Sequence, residues 1–553
     1  MTGGKGPAGP APGSPRFAIR YVADGFTTDG KIMGRQSAGK SLIRGMARRW
    51  KTDTLYGWGG PLDAPAAMEA QVRADGFAGK VVWCDRAGGL PSSALDAIYV
   101  PAPLTAEVSA LRDRTDGATS LFGVTHTLSS HTAMDQLASL VMPPFRTWDG
   151  LICTSAAALG VVEWLHDEAR AWWRDAAGVT RFNTPALTVV PLGVNVDDFV
   201  IPAAEKAAAR MRFGLAPDDV AFLFAGRMTF HAKANPVALY AGLEAASARL
   251  GKRLVCIEAG IAPNAGILDG FARARATLAP GVRFLPVDGA DSAAYRAAWA
   301  AADVFTSLSD NIQETFGITP LEAMAAGLPV LATDWDGYRD TVRDGVDGIL
   351  VPTLAPAPGD GTRLARRYAE GGLNYDRYIG MASMETIVDV DAVAAAIARL
   401  ACDPALRARM GEAGAERARA HYDWPVLLDR YAAFAADLAQ RRRAAAAARP
   451  APLARPDPFA LFAHYPTRTL CDADPIAVRI ADPAALERLL GLTALNYIVG
   501  PDHVSADAIM AVHRAAKDAT RLGDLVGPGS GLPRETAVAA ATWLAKAGVL
   551  RIG

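Results

Sequence analysis

Two acidic and two basic side chains stand where the sequence predicts strands to end. Glu314 and Glu322 are separated by seven residues at a predicted strand-to-helix junction, and Arg227 and Lys233 follow another apolar run. A helix N-terminus presents N–H groups and a positive dipole end to a diphosphate, and carboxylates accept hydrogen bonds from sugar and ribose hydroxyls. Arginine and lysine can hold both phosphates and stabilise them as a leaving group. These residues therefore predict a site for a hydroxyl-rich diphosphate ligand.

Each half of this pattern also has a simpler explanation. Thr319 to Glu322 could be a capping box, in which Glu322 bonds back to the N–H of Thr319 and Pro320 occupies the first helical turn. Arg227 and Lys233 could belong to a solvated basic loop. The functional interpretation gains weight because both segments follow predicted strand ends, where open parallel sheets bind ligands.

Short apolar runs alternate with Ala-rich helical stretches in two successive series, which is typical of βαβ units and parallel sheets. The first series comprises residues 17–22, 80–84, 97–101, 121–126 and 151–155 and ends near 187–194. The second comprises residues 220–227, 253–260, 282–287, 303–309 and 329–333. The sequence therefore predicts two doubly wound α/β domains.

These series divide the chain into five parts. We expect a disordered N-terminus (1–16), a first Rossmann-like domain (17–195), a second Rossmann-like domain (196–440), a linker (441–458) and a small helical unit (459–553) whose element spacing resembles a winged helix. Within the second domain, residues 354–387 are expected to form an irregular insertion, followed by helices near 388–401, 403–421 and 425–440.

The segment from Glu314 to Glu322 resembles glycosyltransferase family 4, a retaining group with the two-domain GT-B fold, because it matches the E-x7-E element of that family. The resemblance covers roughly residues 17–440 and implies that the first domain binds the acceptor and the second binds the donor. It also implies that Glu314 faces the transferred sugar, that Glu322 binds the ribose hydroxyls and that Arg227 and Lys233 hold the diphosphate. The spacing from the arginine to the lysine is one residue longer than the family usually has.

The same resemblance implies further contacts. The backbone of Gly317, Ile318 and Thr319 would touch the donor, a nucleotide-diphosphate sugar, and no metal or other cofactor would be required. His126 follows a predicted strand in the first domain, where the family often carries a histidine near the reaction centre, and it is favoured over His131. A histidine held by local hydrogen bonds is the structural alternative.

Residues Gly34 to Ser41 spell a P-loop, G-x-x-x-x-G-K-S, but about a dozen polar or Gly-rich residues separate them from the preceding strand, which favours coincidence. A glycine-rich loop opening the first helix could still face the cleft, so Gly34 and Gly39 are tentative site residues. Three D-x-D tripeptides could suggest a metal site, but such tripeptides are common, and Asp334 and Asp336 are expected to shape the loop after residues 329–333. The tripeptides begin at Asp334, Asp389 and Asp472.

The composition narrows the class of partner. The 57 basic and 58 acidic residues are balanced, so charge predicts no nucleic-acid partner, and no apolar run is long enough to span a membrane. Scattered cysteines and the absence of a signal peptide indicate the cytoplasm. The acceptor is left open as a glycan, a lipid-linked sugar or a small molecule. Alternatives are a P-loop-type hydrolase, a phosphorylase or epimerase, and a non-catalytic nucleotide-sugar-binding protein.

Overall fold

The first sheet of this computed structural model contains seven parallel strands in the order β3-β2-β1-β4-β5-β6-β7. These strands are β1 (Phe17–Arg20), β2 (Thr54–Trp58), β3 (Lys80–Cys84), β4 (Ala97–Tyr99), β5 (Ser120–Val124), β6 (Gly150–Cys153) and β7 (Ala186–Val189). The helices between them are α1 (Gly34–Arg49), α2 (Pro65–Ala74), α3 (Ala106–Thr115), α4 (His131–Ser139) and α5 (Ala156–Ala177).

The second sheet contains six parallel strands in the order β10-β9-β8-β11-β12-β13. These strands are β8 (Ala221–Arg227), β9 (Val255–Ile261), β10 (Arg283–Asp288), β11 (Val304–Ser307), β12 (Val330–Thr333) and β13 (Gly348–Val351). The first helices of this domain are α6 (Ala203–Arg212), α7 (Val237–Leu250), α8 (Ala265–Leu278), α9 (Ser292–Ala301), α10 (Ile318–Ala325) and α11 (Tyr338–Thr341). Strands β11 and β12 are buried throughout, as expected for a parallel sheet covered by helices on both faces.

Residues 354–387 are ordered into secondary structure, so the expectation of an irregular insertion was wrong. They contain α12 (Thr362–Ala369) and α13 (Tyr375–Met384), and the short strands β14 (Thr353–Leu354) and β15 (Ile387–Val388) pair antiparallel at their base. Asn374 accepts a hydrogen bond from the N–H of Arg377 and so caps α13. Glycines at both ends of α12, together with Gly380 inside α13, obscured the helical pattern in the sequence.

Three longer helices follow the insertion, namely α14 (Val390–Cys402), α15 (Pro404–Arg417) and α16 (Trp424–Ala444). Helix α16 packs into the core of the first domain, although the sequence division assigned most of it to the second. Its buried residues Trp424, Leu428 and Tyr431 join the cluster that contains Phe17 and Phe122. The chain therefore crosses back to the first sheet at residue 424, and each of the two sheet domains is a Rossmann-like parallel sheet with helices.

The C-terminal unit has its own core, and it is described by itself. Residues Met1–Pro452 form one compact unit and Leu453–Gly553 the other. The second contains α17 (Pro458–Leu461), β16 (Ile476–Val478), α18 (Pro483–Leu490), α19 (Ala506–Ala515), α20 (Leu522–Val526), α21 (Arg534–Lys546) and β17 (Leu550–Ile552). Strands β16 and β17 pair antiparallel. The likeness to a winged helix stays a prediction.

The structure describes residues 16–26, 34–59, 65–84, 95–115, 119–445, 456–496, 499–500, 503–526 and 530–553. The expected disordered N-terminus and most of the expected linker lie outside these residues. Within them, no helix is both long and apolar enough to cross a membrane.

Candidate active site in the second sheet domain

The candidate site lies at the carboxyl ends of β8 and β11, two neighbouring strands of the second sheet. The strand order reverses between them, since β9 lies on one side of β8 and β12 on the far side of β11. Arg227 is the last residue of β8, and the segment that carries Glu314 connects β11 to α10. Open parallel sheets bind ligands in the crevice outside such a reversal point. The sheet topology thus brings the two predicted segments together.

Lys233 and Glu314 form an ion pair, with Nζ of Lys233 lying 2.5 Å from Oε2 of Glu314. The two side chains are 13% and 17% exposed, so water screens the pair only weakly. Asn311 links the two segments, because its amide nitrogen donates to the carbonyl of Lys233 (2.8 Å) and its oxygen accepts from the N–H of Glu314 (3.3 Å). Both charged groups had been predicted to bind a ligand, and their pairing with each other had not been predicted.

Each group of this pair stabilises the ionised form of the other, which burial alone would disfavour. Burial alone disfavours the ionised carboxylate of Glu314, yet the adjacent ammonium of Lys233 and the more distant Arg227 hold the pKa of Glu314 below its ordinary value. Burial also disfavours the ammonium of Lys233, and the carboxylate of Glu314 raises the pKa of Lys233 above its ordinary value. The site therefore holds a fixed positive and a fixed negative charge at neutral pH.

The side chains of Arg227 and Glu322 have no polar partner among the described residues. Neither the guanidinium of Arg227 nor the carboxyl group of Glu322 forms a hydrogen bond or an ion pair with the part of the chain that the structure describes. Burial raises the pKa of Glu322 to about 7, a shift that the charge of Lys233 opposes. Both groups are thus free to bind a ligand, Arg227 as a cation and Glu322 as an acceptor or a donor of hydrogen bonds.

Helix α10 begins beside these residues, at Ile318. Gly317 precedes it with φ +80°, and a Cβ there would lie 2.0 Å from Cε1 of Tyr338, so only glycine fits. The capping-box explanation for Thr319 is wrong, because the helix starts one residue earlier and no side chain caps it. The hydroxyl of Thr319 is buried without a partner. The first N–H groups of α10 and this hydroxyl remain available to a ligand.

Asp336, which was expected only to shape the loop after β12, is a neighbour of the candidate site. Its φ of +38° is positive, which is costly for a residue other than glycine, and its Oδ2 atom is buried without a partner. Its Oδ1 accepts the N–H of Tyr338 at 3.3 Å. Burial, with the nearby charge of Glu314, raises the pKa of Asp336 well above its ordinary value. Strain and an unpaired oxygen beside Glu314 mark this residue as part of the site region.

His126 lies two residues beyond β5 in the first domain. Its Nε2 lies 2.8 Å from the carbonyl of Pro101, so one ring nitrogen is bonded locally as the structural alternative supposed. His131, the disfavoured candidate, opens helix α4, and its ring makes an edge-on contact with Tyr368 of the insertion, with centroids 3.7 Å apart. The structure does not place either histidine in direct contact with the Lys233–Glu314 pair.

The P-loop spelling lies wholly within helix α1, so it is not a phosphate-binding loop between strand and helix. Gly34 is the first residue of this helix. Gly39 stands inside it, which makes the assignment of Gly39 to a cleft loop wrong, and a Cβ there would lie 2.1 Å from the carbonyl oxygen of Gly25. The hydroxyl of Ser41 accepts a hydrogen bond from Nε1 of Trp424 at 2.8 Å. This sequence therefore serves packing against α16.

The D-x-D tripeptides have structural partners. Asp334 pairs with Arg339 at 2.9 Å, Asp389 caps the start of α14, and Asp472 pairs with Arg534 at 2.6 Å. Among the described residues, no group of three or more His, Cys, Asp or Glu side chains could hold a metal ion.

The segment that carries the candidate site is similar to known proteins. Residues 219–362 match the family model described as "Glycosyl transferases group 1", and this range contains the four charged site residues. The chain is 39% identical over 180 residues to a D-inositol 3-phosphate glycosyltransferase of Streptomyces bingchenggensis, and 35% identical over 239 residues to the protein of the same name from Streptomyces avermitilis. Residues 219–362 of the second sheet domain are thus similar in sequence to the group 1 glycosyltransferases.

These matches cover part of each relative. The first spans 31% of this chain and 38% of the relative, and the second spans 42% of this chain and 43% of the relative. Among solved structures, Alr3699/HepE of Anabaena in complex with UDP is similar over 75% of this chain and 98% of its own, with a TM-score of 0.46 and 18% identity. A glycosyltransferase from Rickettsia africae is similar over 76% of this chain and 98% of its own, with a TM-score of 0.48 and 13% identity.

Proposed function

We propose that this protein is a glycosyltransferase that moves a sugar from a nucleotide-diphosphate donor to a hydroxyl-bearing acceptor. The observation that carries the proposal is the uncommitted guanidinium of Arg227 beside the Lys233–Glu314 pair and the start of α10, at the reversal point of the second sheet. The match of residues 219–362 to group 1 glycosyltransferases supports it. The finer assignment to family 4, with retention of anomeric configuration, is part of the proposal.

The chemistry follows from where charge develops. Breaking the bond between sugar and phosphate leaves negative charge on the diphosphate, and Arg227, Lys233 and the N-terminus of α10 would stabilise it. Gly317, Ile318 and Thr319 would contact the donor through backbone N–H groups. Because Lys233 is held by Glu314, the ammonium is already oriented and little reorganisation accompanies the reaction.

Glu314 and Glu322 would recognise hydroxyl groups. Glu314 stays ionised in its pair with Lys233, and it would accept hydrogen bonds from the transferred sugar. Glu322, with its pKa near 7, would bind the ribose hydroxyls. His126 would act from the first domain, on the side where the acceptor enters. The acceptor would be a glycan, a lipid-linked sugar or a small molecule.

Isothermal titration calorimetry with UDP, GDP and ADP tests the donor site. We expect the wild-type protein to bind one of them preferentially, and Arg227→Gln to weaken that binding about tenfold or more, since a hydrogen bond to a charged group contributes about 1.5–3 kcal/mol. Arg249→Gln, an exposed arginine in the last turn of α7, is the matched control. Equal affinities of Arg227→Gln and wild type would contradict the proposed site.

A further inference from the structure

The helical insertion of the second domain contacts a loop of the first domain. The hydroxyl of Tyr375 lies 3.0 Å from Oγ of Ser129 and 3.4 Å from Oγ1 of Thr127. The hydroxyl of Tyr368 accepts the backbone N–H of His131 at 3.2 Å. Two tyrosines from α12 and α13 therefore bind the segment 127–131, which directly follows His126.

Ring packing holds Tyr368 in place. The rings of Tyr368 and Tyr378 stack with centroids 4.1 Å apart and planes inclined by 6°, and the ring of His131 packs edge-on against Tyr368. Tyr368 is buried, with 7% of its surface exposed. Such packing restricts the side-chain rotamer of Tyr368, so its hydroxyl group meets the loop with little further loss of conformational entropy.

The opposite side of α13 contacts the loop that carries Lys233. The amide nitrogen of Asn235 lies 3.5 Å from the sulfur of Met384, and a Cβ on Gly380 would lie 3.0 Å from Cβ of His231. Helix α13 thus touches the loop after β8 on one side and the loop after β5 on the other.

We propose that Tyr375 is a positioning residue, which holds the segment 127–131 and thereby sets the place of His126 relative to the donor site. This inference rests on the proposed function, because it gives a catalytic meaning to the contact. It explains why the insertion is folded and packed: α13 joins the part of the site in the second domain to the part in the first. The hydroxyl of Tyr375 acts through the loop and does not itself need to touch the substrates.

The first test does not depend on activity. Tyr375→Phe removes the hydroxyl and keeps the ring, and Tyr378→Phe is the matched control, because the Tyr378 hydroxyl makes neither of the contacts to Ser129 and Thr127. We expect amide hydrogen exchange in a peptide covering 126–133 to be faster in Tyr375→Phe than in wild type, and to be unchanged in Tyr378→Phe. Equal exchange in Tyr375→Phe and wild type would overturn the inference.

The second test measures turnover of UDP-, GDP- and ADP-glucose by release of the nucleoside diphosphate. For the nucleotide that wild type consumes, we expect Tyr375→Phe to lower kcat about five- to tenfold, the effect of one lost hydrogen bond, with the donor KM within about twofold. Ser129→Ala should have a similar effect, and the double variant should be no worse than Tyr375→Phe.

The two failures are distinguishable. A wild-type protein that binds none of UDP, GDP and ADP and consumes none of their glucose derivatives overturns the proposed function, and the positioning role of Tyr375 falls with it, whatever the exchange result. An active wild type whose kcat is matched by Tyr375→Phe overturns the positioning role alone. A rise in donor KM without a fall in kcat would also overturn it, because that result would place the effect in donor binding.

Discussion

Nζ of Lys233 and Oε2 of Glu314 lie 2.5 Å apart, joining the loop after β8 to the segment after β11. The pair fixes the relative position of these two segments at the candidate site. It also means that the two residues cannot be treated as independent ligand contacts, since removing either one leaves a poorly solvated charge of the other sign.

Lys233→Met should destabilise the protein by about 3 kcal/mol, because breaking a buried pair leaves the carboxylate of Glu314 unpaired. The double variant Lys233→Met with Glu314→Gln should recover much of that loss. The free energies of unfolding of the single and the double variant are measured by urea unfolding. Lys252→Met is the control, since Lys252 pairs with Asp218 at 3.9 Å on the surface and such pairs contribute about 0–1 kcal/mol. Similar losses for Lys233→Met and Lys252→Met would contradict the account.

The stability of the ligand-free protein should fall as pH rises from about 4.5 to about 7, in part because of Glu322. The pKa of Glu322 is raised from 4.5 to about 7 by burial, so between these values the folded state binds a proton that the unfolded state has released. Glu322→Gln should reduce this slope by up to one proton, or about 1.4 kcal/mol per pH unit. Asp310, with a pKa raised to about 7 by burial, should continue to titrate in that variant.

Urea unfolding of wild type and Glu322→Gln across this pH range checks the prediction. Glu385→Gln, an exposed carboxyl at the end of α13, is the control and should leave the slope unchanged. If the unfolding free energy of Glu322→Gln depended on pH as steeply as that of wild type, burial would not raise the pKa of Glu322.

Gly317→Ala should cost more stability than a positive φ alone explains. Gly345 is a matched control, because its φ of +73° resembles the +80° of Gly317 while a Cβ there would have open space around it. We expect about 1 kcal/mol of loss for Gly345→Ala from backbone strain. Gly317→Ala should lose more, because its methyl group meets the ring of Tyr338, and it should also weaken nucleotide binding. Equal losses of stability in the two variants would be inconsistent with this packing.

The P-loop spelling should have no role in nucleotide turnover. Lys40→Ala, at an exposed position of α1, should leave nucleoside diphosphate release within about twofold of wild type. Ser41→Ala should instead reduce stability by about 1 kcal/mol, because Nε1 of Trp424 loses its acceptor. Magnesium-dependent ATP hydrolysis that disappears in Lys40→Ala would contradict this prediction.

The sequence predicted most strands of both sheets because parallel strands covered on both faces are continuous apolar runs. It assigned no strand to Thr54–Trp58 or Gly348–Val351, where glycine interrupts or precedes a short run. It located α16 but not its partner, since an amphipathic pattern shows that one face is buried and not which sheet buries it.

The candidate site likewise has some features that the sequence could predict and others that it could not. The topology brought together the strand-end residues Arg227 and Glu314, which a βαβ pattern could predict. The pairing of Lys233 with Glu314 depends on the course of two loops, and no spacing in the sequence encodes it. The contact between Tyr375 and Ser129 joins residues 246 positions apart, in a segment where no helix had been expected.

The most direct test of the proposed function is donor turnover by wild type and Glu314→Gln. Each protein would be incubated with UDP-, GDP- and ADP-glucose, and release of the nucleoside diphosphate would be followed, with circular dichroism to verify that the variant is folded. We expect wild type to consume one of these nucleotides and Glu314→Gln to lose about two orders of magnitude in rate while staying folded. No turnover by wild type, or full activity in a folded Glu314→Gln, would contradict the proposed function.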